Sequence, residues 1–316
     1  MCLANDRDLA RPETEPVSAW RGYRDELVSA GLLIPLGPPG LYARSGVFEG
    51  VVERFERFIT RAGADFTPEV MRFPPLLARQ HYLATHHAEN FPNLMGSVHT
   101  FTGGEAQHLA LLQKKEQGED WSRDLAATDL MLIPAACYPL YPTATGALPP
   151  GGRTVDLLSF VFRHEPSVDP ARMQSFRQRE FVRLGTAGQA VAHRDFWLAR
   201  AADMLRSVGL NVTVAPANDP FFGRGGRMMA AAQKEQDLKF ELLAPVASAE
   251  RLTAIASCNY HLDHFGHAFA IHTADGRPAH SACVGFGLER IALALFRAHG
   301  FDPARWPAGV QRVLGA

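Results

Sequence analysis

The chain has 316 residues, 47% of them hydrophobic, and a formal net charge of −1, enough for one large domain with a full core or two small ones. That balance, with an isoelectric point near 6.9, argues against a general nucleic-acid binder, which carries a basic surplus. No apolar run approaches the ~20 residues that span a bilayer, and the N-terminus lacks the charged-then-apolar layout of a signal peptide. The four cysteines, at 2, 137, 258 and 283, have no regular spacing, so a reducing compartment and a cytosolic location are expected.

Residues 1–15 are charged and contain proline, and little order is expected there. Residues 19–30 can form a short amphipathic helix, and 32–40 are turn-rich. The segment 48–62 predicts a stronger helix. Val51, Val52, Phe55, Phe58 and Ile59 recur at helical spacing, opposite Glu53, Arg54, Glu56, Arg57 and Arg61. A strand over 66–73 follows and stops at Pro74-Pro75. The histidines at 81, 86, 87, 99 and 108 show no ligand spacing and are assigned to loops or surface.

Residues 130–133 read as a buried strand, 139–152 as a Pro/Gly loop, and 155–162 as a strand entering a hairpin. A helix over 191–208, a strand over 211–215, a Gly/Arg-rich segment over 218–236 and strands over 238–246 and 252–258 complete the body. Strands joined by hairpins and followed by helices predict an α+β architecture, an antiparallel sheet flanked by helices. The expected division is an N-terminal extension over 1–45, partly disordered, and one domain over 46–316 that contains the 218–236 segment.

The hairpin over 162–180 is the most informative stretch. Arg163, Arg172, Arg177, Arg179 and, just beyond, Arg183 lie on two arms joined by a Pro/Asp/Ser turn. In regular strands Arg163 would share a face with Glu165, and Arg172 with Gln174 and Phe176. A guanidinium, a carboxylate and an aromatic ring on one sheet face can neutralise a phosphate, accept from an amine and stack a purine. The run Gly285-Phe286-Gly287-Leu288-Glu289-Arg290-Ile291 adds a glycine turn between a strand ending at 281–284 and a helix over 288–298. An arginine in the first turn of that helix suits a triphosphate. The pattern is not a dinucleotide fingerprint, because Arg290 replaces the third glycine.

Phe162-Arg163-His164-Glu165 with Phe176 resembles motif 2 of the class II aminoacyl-tRNA synthetases, and 285–290 resembles their motif 3. More narrowly, the chain is similar to the catalytic core of the atypical seryl-tRNA synthetases. Met131-Leu132-Ile133-Pro134-Ala135-Ala136-Cys137 stands where those enzymes have a Leu-Ile-Pro-Thr-Ala-Glu loop, and 66–77 is similar to the motif 1 strand. Only residues 1–45 precede this core, without the heptads of a coiled-coil arm that grasps tRNA. Small bacterial proteins with such a core and no arm are the amino acid:[carrier protein] ligases.

The resemblance implies a homodimer with the 48–73 helix–strand pair at its interface. It implies an ATP site in which Arg163 meets the α-phosphate, Arg290 the far phosphates and Arg172 a second phosphate oxygen. Phe176 would lie under adenine, Glu165 would accept from its exocyclic amine, Gln174 and Gly287 would line the site, and Glu241 would hold Mg²⁺. It matches Cys137, Glu180 and Cys283 to a Cys/Glu/Cys zinc site whose open position takes the substrate's amino group, with Ser257 and Asn259 lining the pocket. Cys258 is a weaker candidate. His261, His264 and His267 form an i, i+3, i+6 series assigned to a loop rather than to a metal. The implied activity is adenylation of glycine or alanine and transfer to a phosphopantetheine thiol, without tRNA. Arg224, Arg227 and Lys234 are a plausible patch for an acidic carrier protein. The competing readings are a tRNA-charging enzyme without an arm and a non-catalytic synthetase-like subunit.

Overall fold

A computed structural model describes residues 15–219 and 237–315. The expected docking patch of Arg224, Arg227 and Lys234 therefore lies outside the described residues. The helix Glu15–Ser29 leads into a hairpin of β1 (Leu33–Pro35) and β2 (Tyr42–Arg44). The helix Gly46–Gly63 follows, its first turn capped by the Ser45 hydroxyl, which accepts from Phe48 N. Its apolar stripe of Phe48, Val51, Val52, Phe55 and Ile59 is buried, the face that the spacing predicts.

The expected strand over 66–73 shrinks to β3 (Glu69–Met71), because Ala64–Phe66 tightens into a 3-10 turn and Thr67 takes a left-handed φ of 42°. Beyond Pro74-Pro75 the chain leaves for a second sheet of β4 (Leu76–Ala78), β5 (Ser97–Phe101) and β6 (Leu125–Leu132). A short β7 (Gly146–Ala147) pairs in parallel with β13 (Ile271–His272). The remaining strands are β8 (Arg153–Phe162), β9 (Ser175–Gly185), β10 (Thr213–Pro216), β11 (Lys239–Ala244), β12 (Thr253–Tyr260) and β14 (His280–Gly287).

These form the central seven-stranded sheet, in the order β10-β11-β12-β14-β9-β8-β3. Every pairing is antiparallel except β3 with β8. The α+β expectation holds. One face carries the helices Gly46–Gly63, Ala187–Ser207 and Leu288–His299, and the other is left for the site. Trp197 of the second helix is fully buried and stacks on Phe181 with ring centroids 4.6 Å apart.

Side-chain alternation along β9 divides the arginine-rich arm between the two faces. Arg177, Arg179 and Phe181 point to the helices, whereas Phe176, Gln178 and Glu180 point into the cleft. Arg179 is 2% exposed and donates to both carboxylate oxygens of Asp156, to Glu56 and to the Thr60 hydroxyl. A bidentate buried pair of this kind is expensive to break from one side, because it leaves a charge uncompensated.

Asp156→Ala should therefore cost about 3–5 kcal/mol of stability, read as a lowered urea midpoint with an unchanged slope. A loss within 1 kcal/mol, roughly the size of an exposed pair, would show that Glu56 alone suffices for Arg179.

Candidate active site

The antiparallel hairpin of β8 and β9 closes with Phe162 opposite Ser175, and Arg163 N donates to Gln174 O just beyond. Residues 163–174 are thus a loop, and strand alternation does not govern them. Gln174 consequently faces away from the cleft: its Nε2 donates to Pro39 O and its backbone N to Gly40 O. This corrects the expectation that Arg172, Gln174 and Phe176 share a face. Gly40 is required at this contact. Its φ is 76°, and a Cβ there would sit 2.9 Å from Arg172 O.

The cleft has a volume of about 800 Å³, within the usual range for small-molecule sites. Arg163, Glu165, Arg172, Phe176, Gly287 and Arg290 line one part of it, as the sequence led us to expect. The Arg163 guanidinium lies 5.5 Å and that of Arg290 5.9 Å from the centroid of the Phe176 ring. Arg163 Nε donates to Pro134 O, and Arg290 donates to the carbonyls of Ala171 and Ala254. Neither has a carboxylate within ion-pair distance among the described residues. Burial, then Arg163 and Arg172, lower the pKa of Arg290 to about 10. The Glu165 carboxylate is taken by Arg172 at 2.9 Å.

One residue before Arg290, the buried Glu289 clamps the sheet to the Leu288–His299 helix. It accepts from Arg177 N at 2.7 Å and from Arg177 Nε at 2.8 Å, while Arg177 Nη1 reaches Glu49 at 2.6 Å. The backbone between Phe176 and Gln178 is thereby fixed to the helix that carries Arg290.

At the other end of the cleft, the run 131–137 crosses over β9. Ala136 N donates to Glu180 Oε1 at 3.0 Å and to Gln178 Oε1 at 3.2 Å. Cys137, Glu180 and Cys283 come together, with Cys137 hydrogen-bonded to both of the others. Asn259 Nδ2 donates to Cys283 Sγ at 3.5 Å and to the Ser257 hydroxyl at 3.2 Å. The bond from Cys137 holds the Cys283 thiol pKa well below the ordinary value, helped by His261, while the same bond and burial push Cys137 up. Burial, then the charge on Cys283, raise the Glu180 carboxyl to about 8.

Among the described residues the buried Glu180 Oε2 has no hydrogen-bond partner, an orphaned polar atom of the kind that asks for a ligand. Among the described residues no group of three or more His, Cys, Asp or Glu side chains is arranged to hold a metal ion.

Several further residues bear on the site. Glu241 lines the cleft, but Lys239, between Asp219 and Glu241, already shares its charge at 3.2 Å. Burial pulls the Lys239 pKa down, and the two carboxylates more than offset it. Lys239, Asp219 and Gln178 were not singled out in the sequence, although the β11 and β9 alternation could have suggested Lys239 beside Glu241 and Gln178 beside Glu180. His261 was assigned to a loop, yet its Nε2 lies 3.6 Å from Cys283 Sγ and its Nδ1 2.9 Å from the Ser281 hydroxyl. His264 turns to Thr85 O and His267 to Asp263, so the series does not converge. His87 is buried in the cleft wall, with Nδ1 on the Tyr138 hydroxyl, rather than on the surface. Cys258 is buried and, between Ser257 and Asn259 on β12, alternates away from the cleft.

A glycine-turned strand and helix behind an antiparallel sheet, with arginines around a cleft phenylalanine, is the class II aminoacyl-tRNA synthetase catalytic fold. Seryl-tRNA synthetase from Methanopyrus kandleri, solved with Aquifex aeolicus tRNASec, superposes with a TM-score of 0.78 at 19% identity, over 92% of this chain and 60% of that one. The Pyrococcus horikoshii seryl-tRNA synthetase solved with ATP gives 0.69 at 15% identity, over 93% of this chain and 62% of that one. The chain thus spans about three-fifths of these synthetases.

By sequence it is 47% identical over 310 residues to amino acid--[acyl-carrier-protein] ligase 2 of Bradyrhizobium diazoefficiens, covering 98% of this chain and 90% of that protein. Ligase 1 of the same organism is 44% identical over 315 residues, 99% of this chain and 94% of that protein. No protein-family model matches the sequence. The chain belongs to the amino acid--[acyl-carrier-protein] ligase family.

The raised Glu180 pKa sets a pH test. Between the ordinary 4.5 and about 8 the folded protein keeps a proton that the unfolded chain has lost. Stability from this group is complete below 4.5 and is lost as pH rises toward 8. In chelator-treated protein, Glu180→Gln should therefore gain in melting temperature relative to the parent across that window. A difference that does not change with pH would contradict the protonated, buried carboxyl.

Proposed function

We propose that the protein activates a small amino acid, glycine or alanine, as its adenylate using ATP, and passes the aminoacyl group to the phosphopantetheine thiol of an acidic carrier protein. One observation carries this reading. A single cleft holds, at one end, guanidinium groups around an aromatic ring that have no carboxylate partner among the described residues, and a buried Cys/Glu/Cys cluster at the other. The membership in the ligase family and the superposition on an ATP-bound synthetase support it.

In the first step a carboxylate oxygen of the amino acid attacks the α-phosphorus, the bond to the bridging oxygen breaks, and diphosphate leaves. Such a displacement needs positioning and positive charge more than a proton acceptor. Arg163 holds the α-phosphate oxygens and Arg290 the outer phosphates. Phe176 stacks against adenine, and Glu165 accepts from its amine once Arg172 turns to a phosphate oxygen. In the second step the thiol sulfur attacks the acyl carbon, AMP departs with the bonding electrons, and the thiol proton passes to solvent. Ser257 and Asn259 border the amino-acid end.

Cys137, Glu180 and Cys283 would hold Zn²⁺, which when bound supplies a Lewis-acid seat for the substrate's amino group. The two sulfurs and the orphaned Glu180 Oε2 suit that donor set. Glu241, with Asp219 near it, would hold Mg²⁺ beside the phosphates. The reading includes a cytoplasmic homodimer that does not use tRNA. Among the described residues no helix is long and apolar enough to cross a membrane. The three-residue β3 ends the sheet with Val70 63% exposed, an apolar edge suited to a second copy. The 218–236 insertion, with Arg224, Arg227 and Lys234, belongs to the same proposal as its carrier-facing part.

Arg163→Ala should reduce amino-acid-dependent pyrophosphate exchange by about 10²–10³-fold, the size of losing one transition-state electrostatic contact. Exchange within threefold of the parent would remove Arg163 from the phosphate site. Elemental analysis of the purified protein should find about one zinc per chain, lost in Cys283→Ser. Protein that activates glycine or alanine fully while free of zinc would remove the metal from the proposal.

A further inference from the structure

A fourth cleft-lining guanidinium lies outside both motifs. Arg251, just before β12, is exposed, and its guanidinium carbon sits 5.0 Å from the ring centroid of Trp20, on the helix Glu15–Ser29. Both residues line the cleft. Among the described residues Arg251 has no carboxylate within ion-pair distance. Three residues on, the Ala254 carbonyl holds the Arg290 guanidinium, so Arg251 and Arg290 share one end of the cleft. The cysteine end lies at Asn259, about 17 Å farther along the strand than Ala254 at ~3.3 Å per residue.

An arginine spread on an aromatic face loses little to desolvation and keeps its edge N–H groups for a planar or tetrahedral anion. The other solvent-facing arginine here, Arg172, is already paired with Glu165 and Asp169. An unpaired cation braced by an aromatic ring at the mouth of a site already holding Arg163 and Arg290 is arranged for a further negative group.

We infer that Arg251, held in place by Trp20, is a phosphate-binding residue at the outer end of the cleft. The inference rests on the proposed adenylation, in which two phosphate sources pass this mouth, the terminal phosphate of ATP and the phosphodiester of the carrier's phosphopantetheine arm. It gives the N-terminal helix a part in substrate binding.

The test compares the parent with Arg251→Ala, Arg251→Lys and Trp20→Leu in two assays. Pyrophosphate exchange contains no carrier and reports the KM for ATP; aminoacyl transfer at saturating ATP reports the KM for the phosphopantetheinylated carrier. Arg251→Ala should raise one of these constants about tenfold or more, as expected for a lost charge-assisted contact, with kcat and the KM for the amino acid unchanged. A rise in the ATP constant assigns the nucleotide, and a rise confined to the carrier assigns the arm. Arg251→Lys should restore most of the loss, and Trp20→Leu should reproduce part of it. Both constants staying within twofold of the parent in Arg251→Ala, in protein that still activates an amino acid, would overturn the inference. Failure of the parent itself to form an adenylate would instead count against the proposed activity.

Discussion

The site depends on the two-residue period of β9. Because successive side chains leave a strand on opposite sides, one arginine-rich arm serves two purposes. Arg177 and Arg179 tie the sheet to the helices through Glu49, Glu289, Asp156 and Glu56. Phe176, Gln178 and Glu180 form the floor of the cleft. A one-residue slip would bury the ring and carboxylate among helices and turn the two guanidiniums into the site. The bidentate ion pairs on the helical side oppose that slip, so much of the rigidity of the cleft floor is supplied from its back.

The charges in the cleft follow a complementary logic. On the helical face Arg177 and Arg179 are paired with carboxylates. On the cleft face, among the described residues, Arg163 and Arg290 donate to carbonyls alone, Arg251 rests on Trp20, and burial, then the neighbouring guanidiniums, lowers the pKa of Arg290. Such an arrangement is costly without a ligand and favourable with a polyanion bound. The opposite end is the reverse case. There a thiolate-prone Cys283 and a carboxyl kept protonated by burial share a site with an unsatisfied oxygen, which suits a cation and an amine.

The sequence made most of this legible where chemistry follows a regular period or a motif. The helix over 48–62, the β8–β9 hairpin, the glycine turn before Arg290 and the meeting of Cys137, Glu180 and Cys283 all lie near their expected positions. What escaped was set by the third dimension. Gln174 follows the last ladder pair, so the alternation that would have aimed it at the cleft no longer applies, and it turns to Pro39 instead. His261 and His87 sit in segments with no period, and only the fold brings one to Cys283 and the other to Tyr138. Trp20 and Arg251 are separated by most of the chain, and neither carries a local signal of function.

Gly40 shows what that long-range closure entails. Its carbonyl and positive φ let the loop after β1 lie flush on the backbone of Arg172 and Gln174, so the early residues act as a splint for a segment that lines the cleft. The turn-rich stretch 32–40 is therefore part of the framework that holds one wall of the cleft. Grafting this core onto another protein would require carrying the splint along.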